Sequence, residues 1–240
     1  MNTNLLRNKK IRVAILDDHQ GSLDGYAYRL SPHAHIEIVA TARFGNQVET
    51  MLGQQAVDVL LLDVGVPTAE DDQNPYPVLY VLPRLRNAYP KMAILVISMY
   101  KQHALVKAVM EAGANGYILK DDRQAIVQLG EIITSVAAGG VYFSEQSYAV
   151  LSEKPSQADE VHLLTKRQRE ALSLTASMPN KRTEEVAAKL DIAPSTLRNL
   201  LSEAYKRLHV NNRIAAIAKA RELGLISPFP QDPQASKTNN

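Results

Sequence analysis

Residues 57–67 read Val-Asp-Val-Leu-Leu-Leu-Asp-Val-Gly-Val-Pro. Val57–Leu62 is a short run of branched apolar residues interrupted only by Asp58, and it stops at Asp63, Gly65 and Pro67. A run of this length bounded by turn residues reads as a strand buried on both faces. Similar runs occur at Ile11–Leu16, Ile36–Ala40, Ala93–Ile97 and Gly116–Leu119. Helix-length amphipathic segments lie between and after them, at Ser22–Leu30, Asn46–Leu52, Val78–Ala88, His103–Ala112 and Gln124–Ala137. Strand alternating with helix predicts an α/β fold with a doubly wound, five-stranded parallel sheet covered on both faces. In such sheets ligands bind beyond the carboxyl ends of the strands.

The rest of the chain differs in kind. Gly139-Gly140 stops the last of those helices, and Ser144–Leu151 reads as a short helix. Ser152–Val161 is polar and carries a proline, as a linker does. Beyond it every periodic segment is helical, until a Pro-rich polar tail begins at Ser227 that is expected to be disordered. The 240 residues are therefore read as 10–140, an α/β domain; 141–162, a linker with a short helix; 163–226, an all-α domain of four helices; and 227–240, the tail.

Composition sets limits on function. There is no cysteine, which excludes a disulfide scaffold and any thiolate-held metal and fits a reducing cytoplasm. No apolar run approaches the ~20 residues of a membrane span, and no signal peptide is read at the basic N-terminus. The net charge is only +2. Its distribution is more telling, because residues 160–226 hold 12 Lys/Arg against 7 Asp/Glu. A basic helical half suits a polyanionic partner, although a merely solvated basic surface would look the same.

Four strand ends carry chemistry. The first ends in Asp17-Asp18, the third in Asp63, the fourth in Ser98 and the fifth in Lys120. In a parallel sheet all four emerge on one edge. Clustered carboxylates repel; two at about 4 Å cost roughly 4 kcal/mol at an effective dielectric near 20. A hard divalent cation removes that cost, and Mg²⁺ favours carboxylates, waters and phosphate oxygens. Lys120 and the Ser98 hydroxyl can clamp phosphoryl oxygens. A carboxylate nucleophile, a metal and an oxygen clamp are the parts of phosphoryl transfer to an aspartate. The plainer alternative is that acidic strand ends only cap the helices that follow.

The helical half carries a second constellation. Thr165 and Gln168 form a capping box ahead of a stripe of Leu164, Ala171, Leu172 and Leu174. In TEEVAAKL (183–190), Thr183 is placed to cap the next helix. After a turn, Pro194 opens a third helix reaching Leu208. It turns Leu197, Leu200 or Leu201, Ala204 and Leu208 inward and Ser195, Thr196, Arg198, Asn199, Ser202, Lys206 and Arg207 outward. A helix of this length fits the major groove of double-stranded DNA, where Arg198 could pair with guanine and Asn199 with adenine. Lys181, Arg182, Lys206 and Arg207 are better placed for phosphates. A small bundle with a solvated basic face remains the alternative.

Taken together these stretches resemble a known family. Residues 11–140, through RVAILDDH, VDVLLLDVGVP, ILVISMY, EAGANGYILKD and AAGGVYFS, are similar to the receiver domain of NarL/LuxR-type two-component response regulators. Residues 163–226, through LTKRQREAL, VAAKLDIAPSTLRN and KRLHVNNRIAAIAKA, resemble a LuxR-type helix-turn-helix. The resemblance implies that Asp63 accepts a phosphoryl group, and that Asp17, Asp18, Asp63 and the Gly65 carbonyl hold Mg²⁺. It implies Lys120 as the lysine of the site, Ser98 and Tyr117 as switch residues, and Thr196 and Ser202 beside Arg198 and Asn199 at DNA. It further implies a sensor histidine kinase as donor and a homodimer formed through Ile214, Ile217 and Ala218. The resemblance implies a transcription regulator and not an enzyme. Departures occur at Val66, Ala193, Leu200 and Ser202, and in a longer acidic segment after Pro67 with Glu70, Asp71 and Asp72. They leave open a receiver that works without phosphorylation. A phosphohydrolase is disfavoured, because Gly65 stands where a second acid–base aspartate would be needed.

Overall fold

A computed structural model describes residues 10–152 and 164–230. Residues 153–162 of the expected linker and 231–240 of the expected tail lie outside these residues. The apolar runs form one sheet: β1 (Ile11–Leu16), β2 (Ile36–Ala42), β3 (Val59–Leu62), β4 (Ala93–Ser98) and β5 (Gly116–Leu119). All pair in parallel in the order β2-β1-β3-β4-β5. The order reverses between β1 and β3, which opens a crevice at their carboxyl ends.

The expected five strands become six. Tyr142–Phe143 form β6, which pairs in parallel with β5. Two residues are too few to show a period, so this strand has no sequence signature. Gly116 makes room for it: a Cβ there would lie 2.4 Å from the Tyr142 carbonyl oxygen. Gly139, at φ +94°, turns the chain back toward the sheet.

Alternation along the strands divides the core. Ala14, Leu16, Leu60, Leu62, Ile94 and Val96 face one side. There they meet α2 (Val48–Gln54), α3 (Val78–Ala88) and α4 (His103–Glu111). Val13, Ile15, Val59, Leu61, Leu95 and Ile97 face the other. That side is covered by α1 (Gln20–Leu30), α5 (Arg123–Val127) and α6 (Leu129–Ala137). The single helix expected over 124–137 is thus two, broken where Gln128 leaves helical geometry (φ −89°, ψ 17°). α7 (Glu145–Ser152) follows β6.

The long segment after Pro67 folds back on itself. Pro67 bridges Pro75 in antiparallel fashion, Thr68 N–H reaches the Asn74 carbonyl (2.8 Å), and the Asp72 carboxylate accepts from Asn74. Gly45 and Asn46 pin it by donating to Pro67 and Thr68 carbonyls. The Tyr76 ring at its end lies where a Gly45 Cβ would be, 2.0 Å away. Gly45→Ala is therefore expected to cost about 1–3 kcal/mol by overpacking, read by denaturant unfolding. An unchanged midpoint would mean that the loop can shift at no cost.

The second half has α8 (Lys166–Ser177), α9 (Thr183–Lys189), α10 (Pro194–Arg207) and α11 (Arg213–Glu222). The Thr165–Gln168 capping box is present in both directions. For α9 the cap falls one residue earlier than expected, at Arg182, whose N–H is accepted by Glu185 (2.9 Å). Ala193 precedes α10 with no side-chain cap, and Pro194 takes the first helical position. Beyond its exposed first turn α8 is buried all round from Glu170 to Ser177, including Ser173 and Thr175. Leu172 and Ala176 pack within the helical bundle, while Ala171 and Leu174 join the core that contains α3. Arg169 pairs with Glu111 (2.7 Å), and Tyr80 donates to the Lys189 carbonyl. The chain after Ile226 is not a free tail over its first residues: Ser227 and Pro228 are buried.

Candidate functional site

The strand ends converge. Asp17 follows β1, Asp63 follows β3, and Lys120 follows β5. Lys120 Nζ donates to Asp17 Oδ2 (2.7 Å) and to Asp63 Oδ2 (2.6 Å). Asp63 Oδ1 accepts the Gly65 N–H (3.0 Å). Asp17 also accepts from the His19 N–H (3.0 Å) and from Tyr26 Oη (3.3 Å), a partner with no sequence signal. Asp17 and Asp63 are both buried, at 1% and 7% exposure.

Two carboxylates share one ammonium, so the charge does not balance. Burial pushes the Asp63 carboxyl above its usual range, although Lys120 pulls it down. Lys120, facing both carboxylates, is held well above the usual lysine range against the opposing effect of burial. Asp18 is also raised, again chiefly by burial, with His19 acting against it. His19 Nδ1 lies 3.0 Å from Asp18 Oδ1. The ligand atoms of Asp17, Asp18 and His19 fall within 4.8 Å of one another. Asp63 stands outside that group, both its oxygens being engaged by Lys120 and Gly65. The Asp17 and Asp18 carboxylates in this group supply hard oxygens and an excess of negative charge, which fits a divalent cation such as Mg²⁺, whereas the His19 ring nitrogen is a softer donor.

Ser98, at the end of β4, is fully buried, and its Oγ accepts the Tyr100 N–H (3.3 Å). Tyr117 is also fully buried, and its hydroxyl donates to the Tyr100 carbonyl (2.7 Å). Burial raises the Tyr117 phenol, and a hydrogen bond with Ser98 opposes it. The two side chains expected to switch thus both hold the backbone of Tyr100. The Tyr100 ring lies over Gly65, 3.2 Å from where a Cβ would stand. Nothing in the sequence singled out Tyr100.

On the helical half, Thr196, Arg198, Asn199, Ser202 and Lys206 of α10 and Lys181 and Arg182 before α9 are all exposed. Leu197, Ala204 and Leu208 are buried beneath them. Arg198 approaches Glu184 (4.0 Å), Lys206 pairs with Glu203 (2.7 Å), and Lys181 with Glu185 (3.0 Å). Exposed pairs of this kind contribute about 0–1 kcal/mol and yield readily to another anion. On α11, Ile214 is 82% exposed and Ala218 is exposed, while Ile217 is half-buried.

Comparison with known proteins agrees with both halves. A family model described as "Response regulator receiver domain" matches residues 13–130, and one described as "Bacterial regulatory proteins, luxR family" matches residues 162–220. The transcriptional regulatory protein MctR of Rhizobium johnstonii is 29% identical over 223 residues, covering 91% of this chain and 96% of that protein. The transcriptional regulatory protein DegU of Brevibacillus brevis is 25% identical over 241 residues, covering 92% and 97%. Among solved structures, RcsB from Salmonella enterica serovar Typhimurium, bound to promoter rprA with the phosphomimetic BeF3-, shares the fold. Its TM-score is 0.62 at 20% identity, over 88% of this chain and 98% of that one. Among the described residues no helix is long and apolar enough to cross a membrane. A receiver domain and a LuxR-family domain thus follow one another along relatives matched nearly end to end, and the chain belongs to the response regulators that combine these two parts.

Proposed function

We propose that this response regulator is a DNA-binding transcription regulator gated by phosphorylation of Asp63. The observation that carries the reading is Lys120 bridging Asp17 and Asp63 at the carboxyl edge of the sheet. Asp63 supplies the nucleophilic carboxylate oxygen. A new P–O bond forms at Asp63 as the bond from phosphorus to the donor breaks and its electron pair leaves with the donor. A sensor histidine kinase is the donor the receiver calls for. Mg²⁺, held by Asp17, Asp18, Asp63 and the Gly65 carbonyl, would neutralise phosphoryl charge there. Lys120 clamps one phosphoryl oxygen and Ser98 another, drawing Ser98 and Tyr117 toward the pocket. A local change of charge thereby biases a two-state element.

At DNA, Arg198 and Asn199 read bases, with Thr196 and Ser202 beside them. Lys181, Arg182 and Lys206 hold phosphates. Ile214, Ile217 and Ala218 form the contact between two copies. Selection of bound fragments from genomic DNA, with and without a phosphoryl mimic, tests this: a shared motif enriched more strongly with the mimic is expected. No enrichment in either arm would overturn DNA reading, and equal enrichment would overturn gating. On the selected duplex, Arg198→Ala should lose about 1–3 kcal/mol of discrimination at one base pair. Lys206→Ala should leave base preference intact and flatten the salt dependence by about 0.9. Fluorescence anisotropy over a salt series checks both.

A further inference from the structure

The acidic edge holds a side chain that has no part in phosphoryl transfer. His19 follows Asp17 and Asp18 at the start of α1, yet its ring makes no cap bond to that helix. The ring faces the carboxylates instead. Its Nδ1 lies 3.0 Å from Asp18 Oδ1 and 3.9 Å from Asp17 Oδ1. Two donors on one ion, with bonds of about 2.1 Å, stand at most about 4.2 Å apart. Both spacings therefore suit atoms that share a cation, and the ligand atoms of all three residues lie within 4.8 Å of one another. The His19 side chain is 33% exposed, which leaves the trio open to an ion from solvent.

The remaining contacts of the pocket favour this trio as the place where an ion collects. Asp17 divides its oxygens. Its Oδ2 accepts from Lys120 and Tyr26, while its Oδ1 accepts the His19 N–H and faces the His19 ring. That N–H bond closes the turn over 17–19 and draws the three side chains together. Asp63 is engaged at both oxygens, by Lys120 and by the Gly65 N–H. Two carboxylates and one imidazole are thus offered to a cation before Asp63 takes part. Donor chemistry then decides which cation. Mg²⁺ is served by oxygens and water and gains little from an imidazole nitrogen. First-row divalent ions bind nitrogen better, in the rising order Mn²⁺, Co²⁺, Ni²⁺.

We infer that Asp17, Asp18 and His19 form a transition-metal site in the unphosphorylated pocket, with His19 Nδ1 as a ligand. The nitrogen gives the site its preference for ions such as Co²⁺ over Mg²⁺. His19 thereby sets which metal the resting pocket takes, and leaves phosphoryl chemistry to Asp63 and Lys120. This site rests on the reading that a divalent cation binds at the acidic edge. It does not depend on Asp63 accepting a phosphoryl group.

Calorimetric titration of the metal-free full chain with Co²⁺, Mn²⁺ and Mg²⁺ tests this, beside pulsed electron paramagnetic resonance of the Mn²⁺-loaded chain. The parent should bind Co²⁺ more tightly than Mg²⁺. His19→Phe keeps a ring without nitrogen, and should lower the Co²⁺-to-Mg²⁺ preference by roughly tenfold or more, as removal of a group that supports a metal does. Bound Mn²⁺ in the parent should couple to an imidazole nitrogen. The coupling should vanish in His19→Phe and persist in His35→Gln, which alters the separate His33–His35 pair ahead of β2. The spectrum of the parent needs no variant to fold. Absence of the coupling there, its survival in His19→Phe or its loss in His35→Gln would overturn His19 as a ligand. So would an unchanged metal preference in His19→Phe. Each of these results, with Mg²⁺ still binding, leaves the carboxylate cation site standing. No binding of any of the three ions would overturn that reading and the His19 site together.

Discussion

Asp63→Asn is expected to take up no phosphoryl group from acetyl phosphate and Mg²⁺ under conditions that load the parent chain, and to melt higher than the parent when metal is withheld. The first half follows from chemistry, since the amide has no carboxylate oxygen to attack phosphorus. Intact mass reads it, and a shift that persisted in the variant would move the acceptor elsewhere. The second half follows from charge. Asp63 is buried beside Asp17, and one ammonium serves both. Its carboxyl lies above the usual range because burial outweighs the pull of Lys120. A carboxyl raised in the folded state binds more protons than in the unfolded chain, so stability falls as pH rises through the folded value. The metal-free parent should lose stability upward from the ordinary carboxylate range, and Asp63→Asn should lose less over that interval. Parallel melting curves across pH would refute the unbalanced pocket.

Lys120→Met should be the most destabilising single change in the pocket, at about 3–5 kcal/mol without metal, because it strands buried charge. Both carboxylates lose their partner at once, and methionine retains most of the side-chain length without the charge. Mg²⁺ should restore part of the loss, and more of it than in the parent, because the ion then replaces the missing positive charge. Urea unfolding with and without Mg²⁺ measures both terms. A variant as stable as the parent would show that water already solvates Asp17 and Asp63. A variant insensitive to Mg²⁺ would argue against a cation among these carboxylates.

The sheet and its acidic edge were legible because both depend on short-range pattern. A buried parallel strand must be apolar along its whole length, as Val59–Leu62 is, and in a parallel sheet every carboxyl end shares an edge. Asp17, Asp63 and Lys120 were therefore assembled by topology alone. The outward face of α10 was legible for the same reason, since its apolar positions recur at helical spacing. β6 was not, because a two-residue strand has no period. The cap of α9 was displaced to Arg182, because Glu185 reaches back to the N–H there.

What escaped the sequence shares one property: it depends on surfaces from distant parts of the chain meeting. Ser173 and Thr175 look like the polar side of an amphipathic helix, yet α8 from Glu170 to Ser177 is enclosed on every face by the packing of its bundle and of α3. Ser227 and Phe229 read as a loose polar tail, yet Ser227 accepts the Val78 N–H and Phe229 meets Tyr100. By itself the sequence determined the parallel sheet, the acidic edge and the exposed face of α10, because each is a consequence of residue periodicity and strand direction. Only the tertiary structure decided how the two halves touch, because a contact between Val78 and Ser227 is set by complementary surfaces and leaves no periodic trace in either segment.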